Sequence, residues 1–135
     1  MDEHNERFSN TVAANDRRKI VVVGPCASGK SSLVAALQKL GHEASACGQE
    51  HSSILSLWAR SDPDIVIVLT ADIAAVRARR GPYWPEWLHD VQMERLEQAI
   101  QAADLVLDTS PLNAEAVLAQ VSLFLAQFRG ESSVS

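Results

Sequence analysis

Lys19-Ile20-Val21-Val22-Val23-Gly24-Pro25-Cys26-Ala27-Ser28-Gly29-Lys30-Ser31-Ser32-Leu33 is the stretch on which the fold turns. It opens with an unbroken run of β-branched residues closed by a glycine, which reads as a strand buried on both faces in a parallel sheet. Leu33, Leu37 and Leu40 then recur at helical spacing before Gly41 stops the pattern. Between strand and helix the residues match G-x-x-x-x-G-K-[ST], the phosphate-binding loop. Gly24 and Gly29 permit backbone angles and close approaches that a β-carbon forbids. The loop wraps its N–H groups around an anion, and the following helix adds the positive end of its dipole. Lys30 brings a full charge to the β- and γ-phosphates, and Ser31 supplies a hydroxyl ligand for Mg²⁺. A chance match in a chain of this size is on the order of 1%. Gly24, Pro25, Cys26, Ala27, Ser28, Gly29, Lys30, Ser31 and Ser32 are therefore the expected nucleotide-binding residues.

Outward from the loop, apolar runs alternate with helical patterns. Ile65-Val66-Ile67-Val68-Leu69 is the strongest strand, Glu43 to Cys47 a weaker one, and Leu105-Val106-Leu107 a short last one ending in Asp108. Ile54, Leu55 and Trp58 fit a short helix closed by Asp62-Pro63. A further helix opens near Asp72 and runs to Arg80, where Gly81-Pro82 breaks it. Pro85 restarts a helix with Leu88, Val91, Leu96, Ala99, Ile100 and Ala103 on one face. Asn113 caps the last helix, whose stripe is Val117, Val121, Leu125 and Phe128. Strands alternating with helices imply parallel pairing and right-handed crossovers. The expectation is an α/β three-layer domain with about four mainly parallel strands, the loop-bearing strand central, and helices on both faces. It would span residues 19–128, between a polar tail at 1–18 and a second tail at 129–135.

Composition narrows the functional classes. The 135 residues are one domain's worth, 47% hydrophobic and 21% charged, close to the globular average. A net charge of −5 argues against an extended nucleic-acid footprint. No apolar run approaches the roughly 18–20 residues of a membrane span, and Met1-Asp2-Glu3-His4 does not read as a signal peptide. A cytoplasmic protein is expected, with no membrane or nucleic-acid partner. Cys26 and Cys47 are too few for a disulfide scaffold and lack zinc-site spacing, so both read as free thiols, with a redox pair the minority alternative. His4, His42, His51 and His89 form no i, i+4 pair, which leaves nucleotide-borne Mg²⁺ as the expected metal.

The segment Asp64-Ile65-Val66-Ile67-Val68-Leu69-Thr70-Ala71-Asp72, followed by Arg77, Arg79 and Arg80, resembles the fourth strand and lid-entry helix of the nucleoside, nucleotide and shikimate kinases. Ala103-Asp104-Leu105-Val106-Leu107-Asp108-Thr109-Ser110 is similar to their last strand and the turn beside the adenine. The resemblance implies a P-loop NTPase-like fold, ATP or another nucleoside triphosphate with Mg²⁺, and phosphoryl transfer to a small hydroxyl-bearing acceptor. It also implies that Arg77, Arg79 and Arg80 include the lid arginine that offsets transferring charge or stacks on the adenine. Thr109, Ser110 and Pro111 would border the base. A solvated helix face and ordinary turn chemistry are the alternatives for these two groups.

Residues 41–63 are shorter than the acceptor-binding segment usual in such kinases. No acidic pair follows the second strand; Cys47-Gly48-Gln49-Glu50-His51-Ser52 stands there instead, at the carboxyl end of a strand beside the loop. Gln49, Glu50 and His51 are placed to position a water, hold Mg²⁺ through water or accept a hydroxyl proton, with Glu50 favoured. Gly48-Gln49 is faintly similar to the Gly-Gln of GTPases, although no Asn-Lys-x-Asp follows. Asp72 and Asp108 each read as a metal-holding acid or as a helix cap. Gly81-Pro82-Tyr83-Trp84-Pro85-Glu86-Trp87 gathers aromatics into a short lid, an anchor for the next helix, or a homodimer surface. The leading function is an ATP- and Mg²⁺-dependent small-molecule phosphotransferase served by Lys30, Glu50, Arg77 and Arg80. The alternative is a nucleotide-binding regulatory module, or a slow ATPase or GTPase.

Overall fold

Val and Ile are stiff about χ1 and pack well on a pleated surface, and the two richest runs of them form the middle of a sheet. The computed structural model of the chain describes residues 17–128. Apart from Arg17 and Arg18, the tails expected at 1–18 and 129–135 lie outside the described residues. The strands are β1 (Lys19–Val23), β2 (Glu43–Ala46), β3 (Ile65–Thr70) and β4 (Leu105–Asp108). The helices are α1 (Lys30–Lys39), α2 (Ile73–Arg80), α3 (Glu86–Arg95), α4 (Glu97–Ala102) and α5 (Ala114–Gln127), with one-turn 3-10 segments at Gln49–His51 and Leu57–Ser61.

All four strands are parallel, in the order β2-β1-β3-β4. Residues alternate between the two faces of the sheet. Ile20, Val22, Ile65, Ile67 and Leu69 meet Leu33, Val34 and Leu37 of α1 and Val117, Val121 and Leu125 of α5. Val21, Val23, Val66 and Val68 meet Leu96, Ala99, Met93 and Trp58 on the opposite face. Each fully buried Val, Leu or Ile among them contributes about 1.5–3 kcal/mol. The edge strands are short, and Glu43, Ser45, Val106 and Asp108 are exposed on them.

The order places the site. From β1 the chain crosses through α1 to β2 on one side; from β3 it crosses through α2, α3 and α4 to β4 on the other. Right-handed crossovers in opposite directions put their helices on opposite faces. The connections diverge between β1 and β3, and a crevice opens at the carboxyl ends of those strands.

Two expected helices differ in detail. The helix restarted at Pro85 is two helices, broken at Leu96 (φ −93°, ψ −3°), and the buried residues of α3 are His89 and Gln92, not Leu88 and Val91. The break lets α4 lie on the sheet while α3 packs against the Gln49–His51 turn. Around Ile54, Leu55 and Trp58 only a 3-10 turn forms, and Ile54 and Leu55 are exposed. The buried Gln49 side chain explains this. Its Nε2 donates to the Ile54 carbonyl (2.8 Å) and its Oε1 accepts from the Trp58 amide (2.9 Å), replacing the bonds a helix would make.

Asp72 caps α2 by accepting from the Ala75 amide, and Asn113 caps α5 by accepting from the Ala116 amide. At the other end of α5, the Arg18 guanidinium donates to the Phe128 (2.8 Å) and Leu125 (3.2 Å) carbonyls. Among the described residues, no helix is long and apolar enough to cross a membrane.

Candidate functional site

The loop after β1 begins with a steric requirement. A β-carbon on Gly24 would sit 2.5 Å from both the Leu69 carbonyl oxygen and Ser28 Oγ. Gly29 is the reverse case, with open space around it but φ at +98°. Ala27 also adopts positive φ, +64°, which a residue with a β-carbon rarely does. The Ser28 amide closes the loop on the Pro25 carbonyl at 3.2 Å.

α1 starts without a side-chain cap and with no acidic residue in its first turn. The first amide there with a protein acceptor is that of Leu33, bonded to the Gly29 carbonyl at 3.0 Å. Among the described residues, the amides of Ala27, Gly29, Lys30, Ser31 and Ser32 have none. A set of backbone donors at a helix amino terminus is a favourable place for an anion.

Lys30 turns back over this loop. Its Nζ donates to the carbonyls of Gly24 (2.8 Å) and Pro25 (3.4 Å) and forms a 2.7 Å ion pair with Glu50 Oε2. Glu50 is 4% exposed, and its other oxygen, Oε1, has no hydrogen-bond partner. The turn carrying it is held by the Gln49 bonds and by Arg95 Nη1, which donates to the Glu50 carbonyl at 3.1 Å. His51 Nε2 lies 3.4 Å from Glu50 Oε2.

Two cavities flank the loop. One, of about 320 Å³, is lined by residues 26–32 with Glu50, His51 and Arg80. The other, of about 210 Å³, lies between Ala27, Ser28, Gly29 and Ser32 on one side and Arg79, Thr109, Leu112 and Val117 on the other. Lys30, Ser31, Glu50 and Arg80 thus share the polar cavity, while Thr109 and Arg79 border the more apolar one. The Arg80 guanidinium lies 5.7 Å from the centre of the Trp84 ring.

The other arginines are committed to backbone. Arg77 Nε donates to the Trp84 carbonyl (3.0 Å). Arg79 donates to the Ala27 carbonyl (2.7 Å) and to the carbonyl of Thr109, tying the loop to the turn after β4. The Thr109 hydroxyl is buried, 3.0 Å from both the Ser28 and Thr70 carbonyls, and Ser110 Oγ accepts from the Asp72 amide at 2.9 Å. Asp72 and Asp108 line a separate open depression with Ser110 and Pro111. Hydrogen bonds from Ser110 hold the Asp108 carboxyl below the usual carboxylate range. Of the lining carboxylates, only Glu50 belongs to the polar cavity. Gln49 has both ends of its amide engaged, so the water-positioning option raised by Gly48-Gln49 is not supported. Tyr83 is 92% and Trp87 67% exposed, so Trp87 does not anchor α3.

Gln92 went unnoticed in the sequence. Buried on α3, it accepts the Cys26 amide at Oε1 (3.0 Å) and donates from Nε2 toward Cys26 Sγ (3.3 Å). The available signal was Gln92 and Arg95 at helical spacing, two polar residues that reach Cys26 and the Glu50 carbonyl. No protein-family model matches the chain, and no curated protein sequence matches it significantly.

Proposed function

We propose that the chain is a P-loop NTPase-like, nucleoside-triphosphate-binding protein acting as an ATP- and Mg²⁺-dependent phosphotransferase toward a small hydroxyl-bearing acceptor. The observation that carries this reading is the unpartnered run of amides around Lys30, in a loop whose residue types suit phosphate. A triphosphate fits the polar cavity by accepting from these amides and drawing Lys30 away from Glu50. The apolar cavity bordered by Leu33, Leu112, Val117, Arg79 and Thr109 suits the base. Ser31, at the polar cavity, would hold Mg²⁺, which supplies charge neutralisation on the phosphates. Once released from Lys30, Glu50 would accept the acceptor's hydroxyl proton. Arg80 would offset charge on the transferring group, with Arg77 holding the Trp84 segment behind it.

A regulatory module with slow or no turnover is the second reading. It is favoured by the engagement of Gln49, which leaves no glutamine from this turn to orient a water.

Calorimetric titration of ATP, ADP, GTP and GDP, with and without Mg²⁺, separates these readings. Lys30→Ala is expected to weaken triphosphate binding by about 2–4 kcal/mol. Unchanged affinity would remove the site assignment. Glu50→Gln is expected to retain binding and slow transfer to any acceptor; binding without transfer by the native protein favours the module.

A further inference from the structure

Cys26, Glu50 and His51 reach one point from two separate loops. Cys26 Sγ lies 4.0 Å from His51 Nε2, that nitrogen lies 3.4 Å from Glu50 Oε2, and the three donor atoms fall within 4.8 Å of one another. A tetrahedral Zn²⁺, with bonds of about 2.3 Å to sulfur and about 2.0 Å to nitrogen and oxygen, separates its S and N ligands by about 3.5 Å and its N and O ligands by about 3.3 Å. One edge of the cluster is therefore at coordination distance, and small side-chain rotations close the rest.

Three further observations point the same way. The Glu50 carboxylate is almost wholly buried, yet Oε1 has no partner and Lys30 satisfies only Oε2. Leaving such an oxygen unpaired is costly; the oxygen nearest His51 is Oε2, so an ion would share Oε2 with Lys30 or take Oε1 after rotation of the carboxylate. The donors are held from behind: Gln92 clamps the Cys26 amide and approaches its sulfur, and Arg95 fixes the Glu50 carbonyl. Such outer contacts orient metal ligands. The His51 side chain is 63% exposed, which gives an ion a way in.

We propose that Cys26, Glu50 and His51 form a Zn²⁺ site with one open coordination position, on the flank of the loop and sharing Glu50 with Lys30. Thiolate, imidazole and carboxylate together suit Zn²⁺ rather than the all-oxygen shells of Mg²⁺ or Ca²⁺. The thiol releases its proton to solvent on binding; with Lys30 still paired to Glu50 the occupied site carries one net positive charge, which an anionic ligand at the open position would offset. The absence of zinc-site spacing in the sequence is no obstacle, because the pairing of β1 with β2 brings the two loops together. The proposal stands on these donors and not on the nucleotide reading; while the ion is bound, Glu50 is a ligand and does not serve as the proton acceptor.

Co²⁺ titrated into the reduced full chain serves as the spectroscopic probe. The expected result is a near-ultraviolet thiolate-to-cobalt charge-transfer band that saturates at one ion per chain and is bleached by Zn²⁺. Cys26→Ser should abolish the band, Cys47→Ser should keep it, and His51→Ala should weaken Co²⁺ binding by more than about tenfold. A band absent from the native chain, a band that follows Cys47, or an affinity unmoved by His51→Ala overturns the site. Alkylation of the native chain read by mass spectrometry needs no variant: Zn²⁺ should protect Cys26 and not Cys47, and equal labelling overturns the site. Lys30→Ala frees Glu50 and should tighten Co²⁺ binding, whereas weaker binding overturns the shared carboxylate. Failure of nucleotide binding would leave the cobalt signal untouched, so the two readings fail separately.

Discussion

Lys30 and Glu50 set the energetics of the site before any ligand arrives, since their side chains are only 13% and 5% exposed. Removing one member of a buried pair strands the other, at a cost of about 3–5 kcal/mol. Lys30→Met is therefore expected to lower the melting temperature, and adding Glu50→Gln should recover much of the loss without restoring the triphosphate binding proposed for the native chain. Thermal unfolding and calorimetry on the same proteins check both halves. Cys47 offers a pH test. Burial pushes its thiol upward, with the Glu50 charge adding to that; the Gln49 amide and Lys30 pull the other way. A raised folded value means that the stability from keeping the thiol neutral is whole below the ordinary thiol range. It is lost as pH climbs through the raised value. Alkylation of Cys47 should accelerate at higher pH than that of a free thiol, which mass spectrometry across a pH series will show. Asp108 has the opposite sign, its contribution present above the ordinary carboxylate value and lost as pH falls through its lowered one.

At the level of elements, β1, its loop and α1 could be read directly because strand, turn and helix are contiguous and each residue acts locally. Asn113 was legible as a cap for the same reason, whereas Asp72 read equally as a metal-holding acid until its bond to the Ala75 amide decided for the cap. α3 was not. Its apolar residues suggested a face toward the sheet, but the residues it buries are His89 and Gln92, and the partner of Gln92 lies in a loop distant in sequence. The same holds for the 3-10 turn shaped by Gln49. Long-range side-chain-to-backbone bonds leave no period in the sequence. Gln92→Ala, which strips the Cys26 amide of its buried acceptor, is expected to cost about 1–3 kcal/mol. It should also speed hydrogen exchange at Cys26. Gln92→Glu keeps an acceptor and should lose less, as thermal unfolding of the two variants will show.

For the whole molecule, four strands alternating with helices were enough to anticipate the parallel sheet and the central place of β1, since crossover rules allow few arrangements. What no such rule supplies is the fastening of one loop to another. Arg79 spans from α2 to the Ala27 carbonyl and the Thr109 turn, so it joins the β1 and β4 ends of the crevice. Arg79→Ala is expected to cost about 1 kcal/mol of stability and, on the proposed reading, to weaken nucleotide binding, measurable by unfolding and calorimetry together. The carboxylate of Glu50 has a wider consequence. A lysine already neutralised by its own chain sets a charge threshold for whatever enters. A monoanion such as chloride or acetate brings no more than Glu50 already gives, and it must cross the field of a molecule carrying −5. On the proposed nucleotide-binding reading, a polyanion able to engage Lys30 and several amides at once gains more by displacing the internal carboxylate than a monoanion does, so the ion pair would itself select for charge at the loop.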